Sequence, residues 1–148
     1  ERAGLKKFDF VSASVHSRFQ MDRAAMTQRL LKAIRNPATR FLGHVTGRLL
    51  LGRKGYDCDV DAVLREAAQH DVAVEINAHP ARLDLDWRWG KLVREYGTRV
   101  SVNPDAHEVT GLDDAVYGVA MARKGLIPRR QVVNTATAAD VARWLRRG

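Results

Sequence analysis

The chain has 148 residues, 45% hydrophobic and 28% charged, which suits one domain with a real core and excludes a disordered segment. No apolar stretch approaches the ~20 residues of a membrane span, and the single cysteine, Cys58, excludes an internal disulfide and a cysteine-rich zinc site, so the expected location is cytoplasmic. The net charge of +8 suits a polyanionic partner such as nucleic acid but does not encode sequence reading.

In chain order, residues 8–15 are β-rich and continuous, as in a strand buried on both faces. Asp22 can cap a helix whose apolar stripe is Ala25, Met26, Leu30, Ala33 and Ile34, stopped by Asn36-Pro37. Residues 41–43 form a short strand leading into His44, followed by a long loop over 45–58 with Gly47, Gly52 and Gly55; loops of this length are often functional. Asp59 is a plausible cap for a helix to His70, with Val60, Val63, Leu64 and Ala67 on one face. A third strand is expected over 72–76, a second long loop over 77–86, and a helix over 87–96 closed by Gly97. A fourth strand over 99–102 precedes a helix over 112–124, a short fifth strand over 131–134, and a helix over 138–147 capped by Thr137. Strands alternating with helices imply a parallel α/β sheet with right-handed crossovers. The chain is too short for a complete eight-unit barrel, which takes about 250 residues.

Polar residues recur at strand ends with the same period. His16, His44, Glu75 and the Asp105/His107 pair are separated by 28, 31 and 30 residues. A strand with its return helix takes roughly 30 residues, so these side chains should gather at the carboxyl ends of adjacent parallel strands, where α/β enzymes place their chemistry. Imidazole and carboxylate together suit zinc, manganese or iron. Read singly, each has a plainer explanation: a strand-end histidine as a structural hydrogen-bonding group, Asp105 as a turn cap.

Glu75 lies between apolar neighbours and reads as an acid/base, as the group that orients a histidine, or as an acceptor for an arginine. The orienting role is preferred, shared with Asn77. Arg48 and Arg82, each in a long loop past a strand end, suit phosphate oxygens or an ion pair with Asp84 or Asp86. His79 lies near the mouth and is a candidate substrate contact. His70 suits a helix C-terminus; Trp87 and Trp89 read as packing residues. No glycine-rich phosphate loop and no nucleophile elbow is present, and Cys58 lacks the electropositive setting of a reactive thiol. Residues 121–148 carry Arg123, Lys124, Arg129, Arg130, Arg143, Arg146 and Arg147 against Asp140 alone; this basic tail reads equally as a solvated surface and as a nucleic-acid contact.

The motifs Ala-Ser-Val-His-Ser, Gly-His-Val-Thr-Gly-Arg-Leu-Leu-Leu, Val-Glu-Ile-Asn-Ala, Arg-Leu-Asp-Leu-Asp-Trp-Arg and Asn-Pro-Asp-Ala-His occur in that order. Together they resemble the PHP (polymerase and histidinol phosphatase) domain, in the version at the C-terminus of bacterial and archaeal family X DNA polymerases, along about residues 7–145. The resemblance implies the C-terminal part of a distorted (βα)7 TIM-like barrel, with residues 1–148 a partial metal-dependent phosphoesterase domain. It implies up to three divalent metals, manganese or zinc. His16 and His44 would bind one metal, Asp105 a second and His107 a third; Glu75 matches a position beside the site that is not a ligand. The family's upstream His-x-His motif and bridging Glu are not in this sequence, which therefore reads as a piece of a longer chain.

The activity implied is phosphodiester hydrolysis at DNA 3′ ends in repair, as a 3′-5′ exonuclease, with Glu75, Arg48 and Arg82 in the catalytic set and Asn77 and His79 at the substrate. The partners implied are the DNA backbone and 3′ end and the remainder of the parent polymerase chain; no membrane is involved. The competing readings are a small-molecule phosphatase of the histidinol phosphatase kind and a non-catalytic DNA-binding or structural module.

Overall fold

The computed structural model describes residues 2–5 and 7–146. Arg147, the last cation of the basic tail and the expected end of the final helix, lies outside the described residues, as do Glu1 and Gly148. The elements are α1 (Arg2–Leu5), β1 (Val11–Ala13), α2 (Arg23–Ile34), β2 (Thr39–Leu42), α3 (Val60–Gln69), β3 (Ala73–Asn77), α4 (Gly90–Tyr96), β4 (Val100–Asn103), α5 (Ala115–Lys124) and α6 (Ala138–Leu145). The four strands form one sheet in the order β1-β2-β3-β4, all parallel. The strand order never reverses, so right-handed crossovers place the connecting helices on one face. Within the described residues the ladder is an open sheet.

Local chemistry sets the helices. The Asp22 carboxylate accepts the Ala25 N–H at 2.8 Å and Asp59 accepts the Ala62 N–H at 3.0 Å, each filling an otherwise unpaired donor of a first helical turn. Thr27 ties the two helices together by accepting the Asp59 N–H at 2.8 Å. Gly97 ends α4 with φ 70°, the left-handed conformation that costs glycine no steric clash. Two expected helices begin as tight turns: Trp87–Trp89 ahead of α4 and Val109–Asp114 ahead of α5 are 3-10 segments.

Side-chain alternation along the strands gives the sheet two different faces. Leu42, Val74, Ile76, Val100 and Val102 pack with Met26, Leu30, Val63, Leu64 and Val93 into the main core. On the opposite face Ala73 packs with Val133 and Trp144, with Phe41 and Leu145 against them. The Trp144 ring meets Phe41 edge-on at 5.3 Å, and its indole N–H donates to the Asp71 carbonyl at 3.1 Å. Helix α6 therefore covers the lower half of this second face. Further up the same face the alternation brings Glu75, Asn77, Ser101 and Asn103 into line, with Glu75 paired to Ser101 and Asn77 to Asn103 in the ladder.

Two expected strands differ. The 8–15 run is not buried on both faces: only Val11–Ala13 joins the ladder, and Phe8 and Phe10 are 67% and 43% exposed. β1 pairs with β2 alone, at one edge of the described sheet. The expected fifth strand over 131–134 is absent: Arg129–Gln131 and Val133–Thr135 are 3-10 turns, and a single bridge joins Val132 to Val100. Side chains take over its role. Asn134 accepts the Val102 N–H at 2.8 Å and donates to the Val102 carbonyl at 2.9 Å. The buried Gln131 donates to the Val93 and Thr98 carbonyls. One amide side chain thus satisfies both backbone groups that a further strand would have paired.

Candidate metal centre

The strand-end residues do converge. His16 and His44 follow β1 and β2, and their rings meet edge-on with centroids 4.9 Å apart. His16 is exposed; His44 is buried, and its Nδ1 has no hydrogen-bond partner among the described residues. A buried imidazole nitrogen is ordinarily satisfied. Left unpaired beside a second imidazole, such a nitrogen is free to bind a cation. Among the described residues no three His, Cys, Asp or Glu side chains stand close enough to form a metal shell on their own. The residues present therefore fit as contributors to a larger ligand set.

His44 is held from below. Its backbone N–H donates to Glu75 Oε2 at 2.6 Å, and its φ is 27°, a conformation that costs a non-glycine residue of order 1–3 kcal/mol and persists only where surrounding contacts enforce it. Asn103 Nδ2 donates to Glu75 Oε1 at 2.9 Å, Asn77 Nδ2 approaches Oε2 at 3.4 Å, and Ser101 Oγ donates to Asn103 Oδ1 at 2.8 Å. The carboxylate of Glu75 thus gathers N–H groups from β3, β4 and the end of β2, which favours the orienting role. Gly43 leaves room for this: a Cβ there would run into the Ser14 hydroxyl and come to 3.4 Å from Glu75 Oε2.

Asp105 also has a positive φ, 55°. Its Oδ2 accepts from Asn77 Nδ2 at 3.0 Å and from Arg82 Nε at 3.1 Å. Burial pushes its pKa up. The Asn77 hydrogen bond and the charges of Arg82, His107 and His44 outweigh that and hold the carboxyl below its usual range. Asp105 is thus a carboxylate in the electrostatic neighbourhood of His44 and His107. His107 is exposed, with Nδ1 2.7 Å from the Asp105 carbonyl. His79 is fixed at the start of the second loop: its N–H donates to Asn77 Oδ1 at 3.1 Å and its Nδ1 accepts the Ala81 N–H at 3.1 Å.

Arg48 is committed elsewhere. Its guanidinium pairs with Asp86 at 2.6 Å, donates to the Arg82 carbonyl at 2.9 Å, and also reaches the Leu83 carbonyl. Of the two readings open from sequence, the ion pair with Asp86 is the one the structure contains, and Arg48 serves to clamp the two long loops together. Asp84, wholly buried, completes the clamp by accepting the Thr46 N–H at 3.0 Å and the Gly47 N–H at 2.9 Å. Burial raises its pKa against these hydrogen bonds and the charge of Arg48. The same burial pushes the Cys58 thiol up to about 12, which leaves it inert at neutral pH.

Sequence reasoning missed Asn103 and named Asp84 only as a possible ion-pair partner. Asn103 follows Asn77 by 26 residues, close to one βα period, so its signal was there. Asp84, in Leu-Asp-Leu, gives no sign that it points inward. Two cations of the basic tail, Arg130 and Arg143, lie away from this mouth. Arg130 lines a cleft with Asp71, Arg94 and Arg99, and Arg143 lines another with Arg99 and Trp144; Asp71 and Arg99 precede β3 and β4, at the amino ends of the strands.

A parallel α/β sheet with imidazoles and a carboxylate at its carboxyl ends defines the class, and comparison with known proteins narrows it. The chain is 38% identical to the DNA polymerase/3′-5′ exonuclease PolX of Bacillus subtilis over 143 residues, 97% of this chain and 25% of that protein. It is 31% identical to a probable phosphatase of Vibrio atlanticus over 120 residues, 46% of that protein. It is 32% identical to another from Vibrio cholerae over 140 residues, 53% of its length. No family model matches the chain. The chain spans about a quarter of the polymerase and about half of these phosphatases. It belongs to the PHP domain family, in the C-terminal part of the domain and in the form found in family X DNA polymerases. No helix among the described residues is long and apolar enough to cross a membrane.

Proposed function

We propose that this chain supplies the C-terminal part of a metal-dependent phosphoesterase centre that removes nucleotides from DNA 3′ ends. The observation that carries the proposal is the buried, unpaired Nδ1 of His44 beside the His16 ring. The similarity to a polymerase/3′-5′ exonuclease supports the substrate class. On this reading the four-stranded sheet is a segment of a distorted seven-stranded TIM-like barrel, the remainder of the parent chain is a partner, and residues 1–148 are part of one domain.

His16 and His44 would hold one divalent cation, manganese or zinc, with Asp105 and His107 serving others. When bound, such cations lower the pKa of a water and neutralise charge on phosphoryl oxygens. The rest is done by the protein. Glu75 fixes the His44 backbone, and Asn77 and Arg82 hold the Asp105 carboxylate in place. The terminal nitrogens of Arg82 and the ring of His79 face phosphate and sugar, while Arg48 keeps the loops that carry them together.

The test uses the intact protein with manganese and two substrates, a 3′-labelled single strand and a small phosphomonoester. Loss of strand shortening in both His16→Ala and Asp105→Ala supports the proposal. Turnover of the monoester with none of the strand would favour a small-molecule phosphatase; the Vibrio relatives are probable phosphatases. Unchanged shortening in both variants would sink the assignment.

A further inference from the structure

The loop after His44 ends in an exposed apolar tip. Leu51 is fully exposed and Leu50 is 40% exposed. Leu51 has φ 60°, a conformation that a bulky side chain adopts at a cost. The tip is nevertheless tightly built. Leu49 exchanges backbone hydrogen bonds with Arg53 at 2.9 and 2.8 Å, and Gly52 N–H reaches the Leu49 carbonyl at 3.0 Å. Arg53 Nη2 donates to the Gly47 carbonyl at 2.9 Å, and its guanidinium lies 4.3 Å from the centre of the Phe19 ring. The fold therefore holds a leucine out in water in a strained backbone. The core gains nothing from it.

The position of the tip suggests its use. Leu50 N–H donates to the Ala81 carbonyl at 2.6 Å, which fastens the tip to the loop that carries His79 and Arg82. The loop's root is fixed three residues from His44, through Gly47 N–H to the His44 carbonyl at 2.8 Å. Arg53 and Lys54 line the same depression as the leucines, beside Arg48, whose charge is already taken by Asp86. An apolar point set among cations, beside the proposed phosphate-cleaving mouth, is complementary to a nucleic-acid strand: phosphates meet the cations and a base face meets the leucine. Apolar side chains are used in this way to unstack bases.

We infer that Leu50 and Leu51 form a base-contacting wedge that grips the terminal nucleobases of a single strand while its 3′ phosphodiester lies in the mouth. The inference rests on the nuclease reading proposed above. The experiment compares manganese-dependent shortening of two single strands by the intact protein, one ordinary and one abasic over its last nucleotides, for wild type, Leu51→Gly and Leu51→Phe. Wild type should prefer the ordinary strand. In Leu51→Gly the preference should fall by roughly five-fold, the low end of the range for stacking contacts, because leucine has no π face. Leu51→Phe should keep or raise it. Leu51→Gly relieves the left-handed backbone, so its melting temperature should be equal or higher, which separates lost contact from lost folding. An unaltered preference in both variants, with shortening intact, overturns the wedge alone and leaves the tip to a protein partner. Failure of wild type to shorten either strand overturns the nuclease reading, and the wedge with it.

Discussion

The Glu75 carboxylate accepts the backbone N–H of His44 at 2.6 Å, so a residue of the third strand fixes the histidine that follows the second. The same carboxylate takes an N–H of Asn103 from the fourth strand. Three strand ends are thereby tied at one anion, and the placement of His44, a proposed metal ligand, depends on a residue proposed only to orient it. In Glu75→Gln one oxygen becomes an NH2 that faces N–H donors. Groups that orient a metal ligand in this way typically change affinity or activity 10–100-fold when removed. The expected outcome is a fall of that order in manganese affinity, measured calorimetrically, together with a loss of stability of about 1–3 kcal/mol in urea unfolding.

The clamp between the two long loops should be pH-sensitive through Asp86. Burial pushes the Asp86 pKa up, but the Arg88 N–H and the Arg48 guanidinium outweigh it and hold the group below its ordinary range. A carboxylate whose folded pKa is depressed contributes stability that is present above the unfolded value of about 3.9 and is lost as pH falls through the folded value. Wild type should therefore be more stable than Asp86→Asn at pH 6, and the gap should close on acidification below pH 4. Urea midpoints for the two proteins across that range check this. A gap independent of pH would assign the effect to packing.

Asn134 stands in for a strand. Replacing it with alanine leaves the N–H and carbonyl of Val102 without their partner, and the expected cost is about 1–3 kcal/mol. The loss should be local. Amide exchange at Val102 should quicken while exchange in β2 stays near its wild-type rate, as for a weakened sheet edge.

The contrast between Glu75 and Asn134 shows what the sequence carried and where it stopped. The βα period is an integer property of the chain, so four strands, their parallel order and the convergence of His16, His44, Glu75 and Asp105 could be read from spacing. The caps at Asp22, Asp59, Gly97 and Thr137 were equally legible, because each acts within three or four residues of itself. The fate of residues 8–15 and 131–134 was not, since a β-rich run pairs only as far as a neighbouring strand is in place. Arg48 was likewise undecidable: its spacing fits a phosphate ligand and a loop clamp alike, and only the distance to Asp86 chooses. The placement of Arg130 and Arg143 depended on which end of the sheet α5 returns to, a matter of three-dimensional path and not of charge.

His16 and His44 are proposed to share a cation. The direct measurement is calorimetric titration of manganese or zinc into the intact protein and into His16→Ala and His44→Ala, each checked for folding by its melting temperature. Both variants should stay folded, and each should lose one equivalent of bound metal relative to wild type. Retention of the full metal content in either variant would contradict a shared cation.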